Sequence, residues 1–277
     1  MAESGMLPFD ILADQHIIRF AIQQLEKNSS NINLPLTHRT SALKQQLTGT
    51  PLLDICQQLR HKNRPWYLSK PIVIWDVKIH VKAGDPPEIV LPIVQEVLTR
   101  RFSESVIMYT DGSKLDETVG AGIFGSGYAK SVGLPQQCSV FSAEAYAIKT
   151  ATKIRNTNNL VIMTDSASCL SALESGQTKH PWIQAIEAAA RIKNIQFCWI
   201  PSHAGVSGNE AADRLANDAR RQSPKNIPIP ASDALRTVKR ELREHWARRW
   251  FNERDVKLRE VEPDTYRWTD RDNAADQ

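Results

Sequence analysis

Four acidic residues lie in short motifs that are far apart in the sequence, and together they could bind a divalent cation. Asp111 lies in "YTDGSK", Glu144 in "SAEAYAIK", Asp165 in "TDSAS" and Asp213 in "GNEAADRLA". Carboxylates that come close together repel one another unless a counter-ion lies between them. Because carboxylate oxygens suit Mg²⁺ and Mn²⁺, these residues predict a site for such an ion if the fold gathers them.

Each of the four acids also has an ordinary structural interpretation. Asp111 and Asp165 could be turn formers, and a helix dipole would stabilise Glu144 near a helix N-terminus. Asp213 could be one more solvated charge on a helix. Glu144 and Asp213, however, stand among alanines and other apolar residues, which favours a position packed near other parts of the protein.

A histidine lies in the loop that precedes Asp213. The stretch "WIPSHAGVSGNEAAD" places His203 between a predicted strand and a predicted helix. A histidine in such a loop is often an ordinary surface residue. Beside a group of carboxylates, its imidazole could carry protons, because its pKa is close to neutral pH.

The apolar patterns of the region 103–222 predict an α/β domain. The predicted strands are 105–110, 119–125, 128–134, 159–164 and 195–200. The predicted helices are 142–155 with Ser142 as N-cap, 166–175, 181–193, and 207–221 with a capping box of Ser207 and Glu210. Three strands followed by alternating helices and strands predict a mixed five-stranded sheet flanked by helices. Asp111 and Asp165 would then lie at strand ends, and Glu144 in the first turn of a helix.

Three further segments flank this domain. Residues 1–102 are predicted to be a partly helical connecting region, with helices at 14–27, 51–60 and 92–101 and a strand at 75–81. Residues 223–230 contain three prolines and are predicted to be a linker. Residues 231–277 are predicted to form a basic C-terminal helix, over 232–260, and a disordered tail.

The composition predicts a soluble protein with a substantial core. The chain has 277 residues, of which 41% are hydrophobic and 24% are charged, and its net charge of +4 permits a polyanionic partner. The four cysteines contain no C-x-x-C pair, which disfavours a zinc site. Because the chain has no secretory signal pattern and no membrane-spanning apolar run, we expect an intracellular protein of the nucleus or cytoplasm that has no membrane partner and is not secreted. The sequence leaves the oligomeric state open.

The four acidic motifs and the loop of His203 resemble those of type I ribonuclease H, in the same order and with approximately the same spacing. The resemblance covers about 103–222 and implies the ribonuclease H-like fold. More narrowly, this region looks like the ribonuclease H domain of insect-type non-LTR retrotransposon polyproteins, in which it follows a reverse transcriptase. The resemblance therefore implies a reverse transcriptase in the same polyprotein as a partner.

The resemblance also implies an activity, which is cleavage of the RNA strand of RNA–DNA hybrids with two Mg²⁺ ions that Mn²⁺ can replace. Asp111 would bridge both ions, Glu144 and Asp165 would complete the shell of one, and Asp213 would complete that of the other. His203 would assist proton transfer or product departure. The implied catalytic residues are thus Asp111, Glu144, Asp165, His203 and Asp213, and backbone around Gly112, Ser113 and Asn209 is expected to contact RNA 2′-hydroxyls.

Two departures from the family pattern keep other functions open. The short connection 175–180 leaves no room for the basic protrusion with which some family members grip the hybrid. The chain also lacks the "Y-x-D-D" and "A-D-D" motifs of polymerases, so it could be a fragment or a degenerate copy. The alternatives are a ribonuclease H-like module that binds nucleic acid without cutting it, and a transposase or integrase, although these depend on a late glutamate in place of Glu144.

The predicted C-terminal helix has two interpretations of its own. Its basic residues could hold the hybrid backbone in place of the missing protrusion, and they stand beside Trp246 and Trp250. Alternatively, it is a surface helix that packs through its apolar side, because glutamates dilute its positive charge. The basic residues concerned are Arg236, Lys239, Arg240, Arg243, Arg248 and Arg249.

Overall fold

A computed structural model of the chain describes residues 70–252, apart from 83, 126 and 155–158, together with His16 and Arg19. The chain divides into two compact units, one of residues 61–230 and one of residues 1–60 and 231–277. Of the predicted helix 14–27 only His16 and Arg19 are described, and both are helical. The predicted helix 51–60 and the predicted disordered tail lie outside the described residues.

The first unit contains a mixed sheet of six strands. In chain order these are β1 Ile72–Ile74, β2 Val106–Leu115, β3 Thr118–Gly125, β4 Tyr128–Leu134, β5 Leu160–Thr164 and β6 Ile195–Trp199. Their order across the sheet is β1-β6-β5-β2-β3-β4. The pairs β2–β3 and β3–β4 are antiparallel, whereas β1–β6, β6–β5 and β5–β2 are parallel. The five predicted strands and the predicted mixed sheet are therefore confirmed, and β1 is an additional edge strand.

Helices cover both faces of this sheet and also follow it in the chain. They are α1 Asp76–His80, α2 Pro87–Phe102, α3 Val140–Ala151, α4 Ala167–Ser175, α5 Pro181–Ile192, α6 Ser207–Ala219 and α7 Ala231–Asn252. The predicted helices at 92–101, 166–175, 181–193 and 207–221 are confirmed to within a few residues. No helix in the described part of the chain is both long enough and apolar enough to cross a membrane.

The predicted strand at 75–81 is wrong, because residues 76–80 form the short helix α1. The alternation of Val77, Ile79 and Val81 suggested one buried strand face. In the structure Val77 is fully buried while Ile79 is 75% exposed, so these side chains do not share a face. The strand lies just before them, at β1, where Ile74 is buried and pairs in parallel with Cys198 of β6.

Two helix starts also differ from the predictions. Helix α3 has Ser139 as its N-cap, whose hydroxyl accepts a hydrogen bond of 3.1 Å from the backbone N–H of Ser142. Ser142 is therefore a buried residue of the first turn and not the cap. Helix α6 begins after Val206 without a side-chain cap, so the predicted capping box is wrong.

Glycines let two helices lie against opposite faces of the β2–β3 pair. A Cβ atom on Gly112 of β2 would overlap the backbone nitrogen of Glu144 in α3. On β3, Cβ atoms on Gly120 and Gly122 would overlap the carbonyl oxygens of Ala216 and Ala212 in α6. Because neighbouring residues of a strand face opposite sides of a sheet, these contacts hold α3 and α6 at backbone distance from the same two strands.

The strand register then decides which side chains face α6. Gly122 lies opposite Asp111 and Gly120 lies opposite Ser113. Directly opposite residues of an antiparallel pair point to the same face of the sheet. Asp111 and Ser113 therefore point toward α6, into space that the absent side chains of the two glycines leave open.

Helix α7 belongs to the second unit and carries paired charges along its own surface. Arg236 lies 2.8 Å from Asp233, and Glu244 lies 3.8 Å from Arg240 and 3.9 Å from Arg248. Such pairs along a helix reduce the positive charge available to a polyanion. They favour the interpretation of a surface helix over that of a hybrid-binding helix.

We expect Gly122→Ala to destabilise the first unit strongly, by about 2–4 kcal/mol, because the new methyl group would meet the backbone of α6 and neither element can move freely. Lys130→Ala, on the exposed side of the neighbouring strand β4, is the matched control and should change the stability by less than about 0.5 kcal/mol. Urea unfolding followed by circular dichroism measures both. Equal midpoints for the two variants would contradict the close packing of α6 on β3.

Candidate active site

Asp111 lies inside β2 and not at its end, so the predicted end of this strand is wrong. Strand β2 continues to Leu115 because β3 pairs with it along its whole second half. On its other side, the pairing with β5 stops at Thr110 and Thr164. Asp111 is thus the first residue of β2 that has no partner in β5, because β5 ends at Thr164.

Glu144 reaches this position from α3. It is the fifth residue of that helix. The prediction that it lies in the first turn is therefore wrong. Its backbone lies against Gly112, the neighbour of Asp111. The Ser166 hydroxyl donates a hydrogen bond to Glu144 Oε2, and the Cys169 thiol lies 3.9 Å from the same oxygen.

Asp165 follows β5 directly, as predicted from the sequence. The side chain of Asn209, in the first turn of α6, donates a hydrogen bond to its carboxylate. The backbone carbonyl of Asp165 accepts a hydrogen bond of 3.1 Å from the indole Nε1 of Trp199. Asp165 is thereby fixed from both its backbone and its side chain.

Asp213 comes from the middle of α6, and His203 from the loop before that helix. Ligand atoms of His203, Glu210 and Asp213 all lie within 4.8 Å of one another. His203 is exposed and has a φ of 51°, a left-handed conformation that few residues other than glycine adopt. In the described residues this is the only group of three or more such residues whose ligand atoms lie this close together. The carboxylates of Asp111, Glu144, Asp165 and Asp213 are therefore farther apart than the atoms of this group.

The charges of the other three predicted carboxylates nevertheless act on Asp111. Burial, followed by the charges of Asp165, Asp213 and Glu144, raises the pKa of Asp111 from 3.8 to about 7, while the backbone N–H of Gly112 opposes this shift. Asp111 is therefore close to all three of the other acids. A cation placed among these carboxylates would remove the repulsion.

The other two buried acids show the same effect. Burial raises the pKa of Glu144 to about 7, with the hydrogen bond from Ser166 acting against the shift. Burial also raises the pKa of Asp165, and here the hydrogen bond from Asn209 and the nearby His203 act in the opposite direction. Partly buried acids with neighbours of like charge are typical of functional sites.

The predicted substrate-binding residues lie at this site, but their side chains are engaged within the protein. The Ser113 hydroxyl donates a hydrogen bond of 2.7 Å to Oδ1 of Asn217. Asn209 is 3% exposed, and its side chain donates a hydrogen bond to the carboxylate of Asp165. Gly112 lies under α3. Contacts from these residues to a ligand would therefore involve the backbone, which on the β5 side of β2 has no strand partner beyond Thr110.

This domain combines a cluster of four acidic residues with a six-stranded mixed sheet that has helices on both faces. We compared it with known proteins. Residues 103–221 match the RNase H family model. The fold is accordingly ribonuclease H-like. All four predicted carboxylates and His203 lie within the matched residues.

Similar proteins agree with this match. Human ribonuclease H1 is 31% identical over 171 residues, which are 52% of this chain and 59% of the human protein. The Pol polyprotein of equine infectious anemia virus (strain Wyoming) is 30% identical over 125 residues, which are 43% of this chain and 11% of the polyprotein. Ribonuclease H of Methylorubrum extorquens is 38% identical over 58 residues, which are 19% of this chain and 25% of that protein. The matches support a type I ribonuclease H domain. The chain spans between about a tenth and three fifths of the length of these relatives.

Three residues of the site were not predicted as functional. Ser166 directly follows Asp165 and holds Glu144, a contact between separate elements that a local pattern does not show. Glu210 and Asn217 lie about one helical turn before and after Asp213, and helical spacing could have indicated them. Glu210 was instead interpreted as part of a helix cap.

We expect the metal-free protein to lose stability as the pH rises from about 4 to about 8. The raised pKa of Asp111 means that the folded state binds a proton that the unfolded state has already released above pH 3.8, so this stabilising contribution is lost as the pH passes about 7. Asp111→Asn should therefore be more stable than the wild type by roughly 2–4 kcal/mol at pH 8 in EDTA, with a smaller difference at pH 5. Adding Mg²⁺ at pH 8 should stabilise the wild type more than the variant.

Thermal unfolding across pH 5–8, with EDTA or with Mg²⁺, measures this. Asp116→Asn makes the same chemical change on the exposed turn between β2 and β3 and serves as the control, for which no difference from the wild type is expected. An Asp111→Asn variant whose stability follows the wild-type pH dependence in EDTA would contradict the buried, repelled carboxylate.

Proposed function

We propose that this domain hydrolyses the RNA strand of RNA–DNA hybrids with the help of bound Mg²⁺ ions. The observation that carries the proposal is the position of Asp111, whose carboxylate lies among those of Glu144, Asp165 and Asp213. These residues come from separate elements of a domain that matches the RNase H family. The same acids in a different context would be only a group of acidic residues.

The residues present fit a site for divalent cations. The donors are carboxylate oxygens, which Mg²⁺ and Mn²⁺ prefer, and the raised pKa values of Asp111 and Glu144 support a site that a positive charge would stabilise. Asp111 would contact both ions, Glu144 and Asp165 one of them, and Asp213 the other. When bound, such ions activate a water for attack on a phosphodiester and stabilise the departing oxygen.

The other residues of the site would orient groups and carry protons. Ser166 and Asn209 hold the carboxylates of Glu144 and Asp165 in place. His203 is exposed beside Asp213 and Glu210, so its imidazole can accept or release a proton at the mouth of the site. The backbone around Gly112 and Ser113 would bind 2′-hydroxyls, which distinguish RNA from DNA.

A cleavage assay tests this proposal. The wild-type chain should cut the labelled RNA strand of a hybrid in Mg²⁺ and leave the labelled DNA strand intact, and EDTA should stop the reaction. Asp111→Asn should lower the rate by at least about 1,000-fold, since it removes the central charge with little change in volume. Hybrid binding by the variant should stay near that of the wild type.

Asp116→Asn is again the matched control and should cut at the wild-type rate. A purified Asp111→Asn protein that cuts as fast as the wild type would contradict the metal-centre proposal. Binding of the hybrid without cleavage, in Mg²⁺ and in Mn²⁺, would instead favour a nucleic-acid-binding module. Strand transfer between DNA molecules would point to a transposase or integrase.

We also propose that the domain comes from a retroelement polyprotein of the non-LTR retrotransposon type, with a reverse transcriptase as its partner in the same polyprotein. Similarity to a viral Pol polyprotein supports this, as does the resemblance of the acidic motifs. Sequencing of full-length transcripts tests it. The proposal expects a reading frame that also encodes polymerase motifs, and a transcript that encodes a host protein without them would contradict it.

A further inference from the structure

A short chain of hydrogen bonds connects β2 to the carboxylate of Asp213. The Ser113 hydroxyl donates to Asn217 Oδ1 at 2.7 Å, and Asn217 Nδ2 donates to Asp213 Oδ1 at 2.9 Å. Ser113 is two residues after Asp111 on the same face of β2, and Asn217 is one turn after Asp213 in α6. All three side chains are partly buried.

The direction of the Asn217 amide follows from the charge at one end of this chain. The carboxylate of Asp213 can only accept a hydrogen bond when it is ionised, so the NH₂ group of Asn217 must face it. Oδ1 of Asn217 then faces β2 and needs a donor, which the Ser113 hydroxyl supplies. A flipped amide would place two acceptors against each other at the end nearer Asp213.

The bonding leaves one oxygen of Asp213 available. In the described part of the chain, Oδ1 accepts from Asn217 and Oδ2 makes no hydrogen bond. The rotation of the carboxylate is restricted because a partly buried donor holds one oxygen. Oδ2 is therefore available as a ligand, at an orientation that the hydrogen bonds from β2 set.

The hydrogen bonds from Ser113 to Asn217 and on to Asp213 depend on the close approach of α6 to Gly120 and Gly122. Ser113 lies opposite Gly120 and Asp111 lies opposite Gly122, where α6 approaches β3 at backbone distance. A wider spacing would move Asn217 out of reach of Ser113. The same contacts thus bring Asp213 near Asp111 and place the pair that orients it.

We propose that Ser113 and Asn217 are positioning residues that orient Asp213 toward the cation site. This inference rests on the proposed function, because it assumes that Asp213 is a metal ligand. It gives the Ser113 side chain a different role from the RNA contact expected of the backbone around it. Residues that hydrogen-bond to metal ligands typically change metal affinity or activity by about 10–100-fold when they are removed.

The sharpest test compares Ser113→Val with Ser113→Thr. The two side chains have nearly the same shape, and only threonine keeps the hydroxyl, so any cost of the added bulk beside α6 is common to both. We expect Ser113→Val to raise the Mg²⁺ concentration for half-maximal cleavage by about 10-fold, with the KM for the hybrid unchanged at saturating Mg²⁺. Ser113→Thr should stay within about twofold of the wild type.

Asn217→Ala should show the same shift as Ser113→Val, and the double variant should be no worse than Asn217→Ala, because both changes break one chain of bonds. Equal Mg²⁺ dependence of the valine and threonine variants would overturn the inference. So would additive effects, or a changed KM with an unchanged Mg²⁺ dependence. If Asn217→Ala does not fold, as circular dichroism would show, the valine and threonine pair decides alone.

Calorimetric titration with Mn²⁺ separates this inference from the proposed function. If the wild type cuts no hybrid at any Mg²⁺ concentration, the proposed function fails, and the Mn²⁺ affinities of the same proteins then test the positioning role. Weaker Mn²⁺ binding by Ser113→Val than by Ser113→Thr supports that role. Indistinguishable affinities overturn it.

Discussion

The close approach of α3 and α6 to the β2–β3 pair is the constraint on which the rest of the structure depends. It requires residues without side chains at Gly112, Gly120 and Gly122, because any Cβ there would overlap the backbone of a helix. Helices usually pack on a sheet through side chains, which keeps the two backbones well apart. Here the backbones touch, so acidic side chains on the helices reach the acid at the centre of the sheet.

The same packing creates the electrostatic character of the site. Burial of Asp111, followed by the charges of acids from the end of β5, from α6 and from α3, raises its pKa to about 7. Uncharged side chains donate hydrogen bonds to the carboxylates around Asp111. Ser166 donates to Glu144, Asn209 to Asp165 and Asn217 to Asp213. These donors orient the carboxylates without cancelling their charge. A cation placed among these carboxylates would reduce their repulsion.

The sequence predicted the elements and the acids better than it predicted their local geometry. Period-two and apolar patterns indicated five strands, because apolar residues recur in each of them, although β2 continues beyond its predicted end. Asp111 was wrongly predicted to lie at a strand end, since the extension of β2 to Leu115 depends on pairing with β3 and not on the residues of "TDGS". The helix at 76–80 was missed for a similar reason, because the burial of Val77 is set by tertiary packing. The roles of Ser166 and Asn217 arise from contacts between elements that are far apart in the chain.

Crystals grown with Mn²⁺ would test the central claim most directly, because anomalous diffraction locates the ion itself. We expect Mn²⁺ bound to the Asp111 carboxylate, with ligands from Glu144, Asp165 or Asp213, and no Mn²⁺ at this position in Asp111→Asn crystals. Manganese bound only elsewhere, with the four carboxylates free of metal at saturating concentrations, would contradict it.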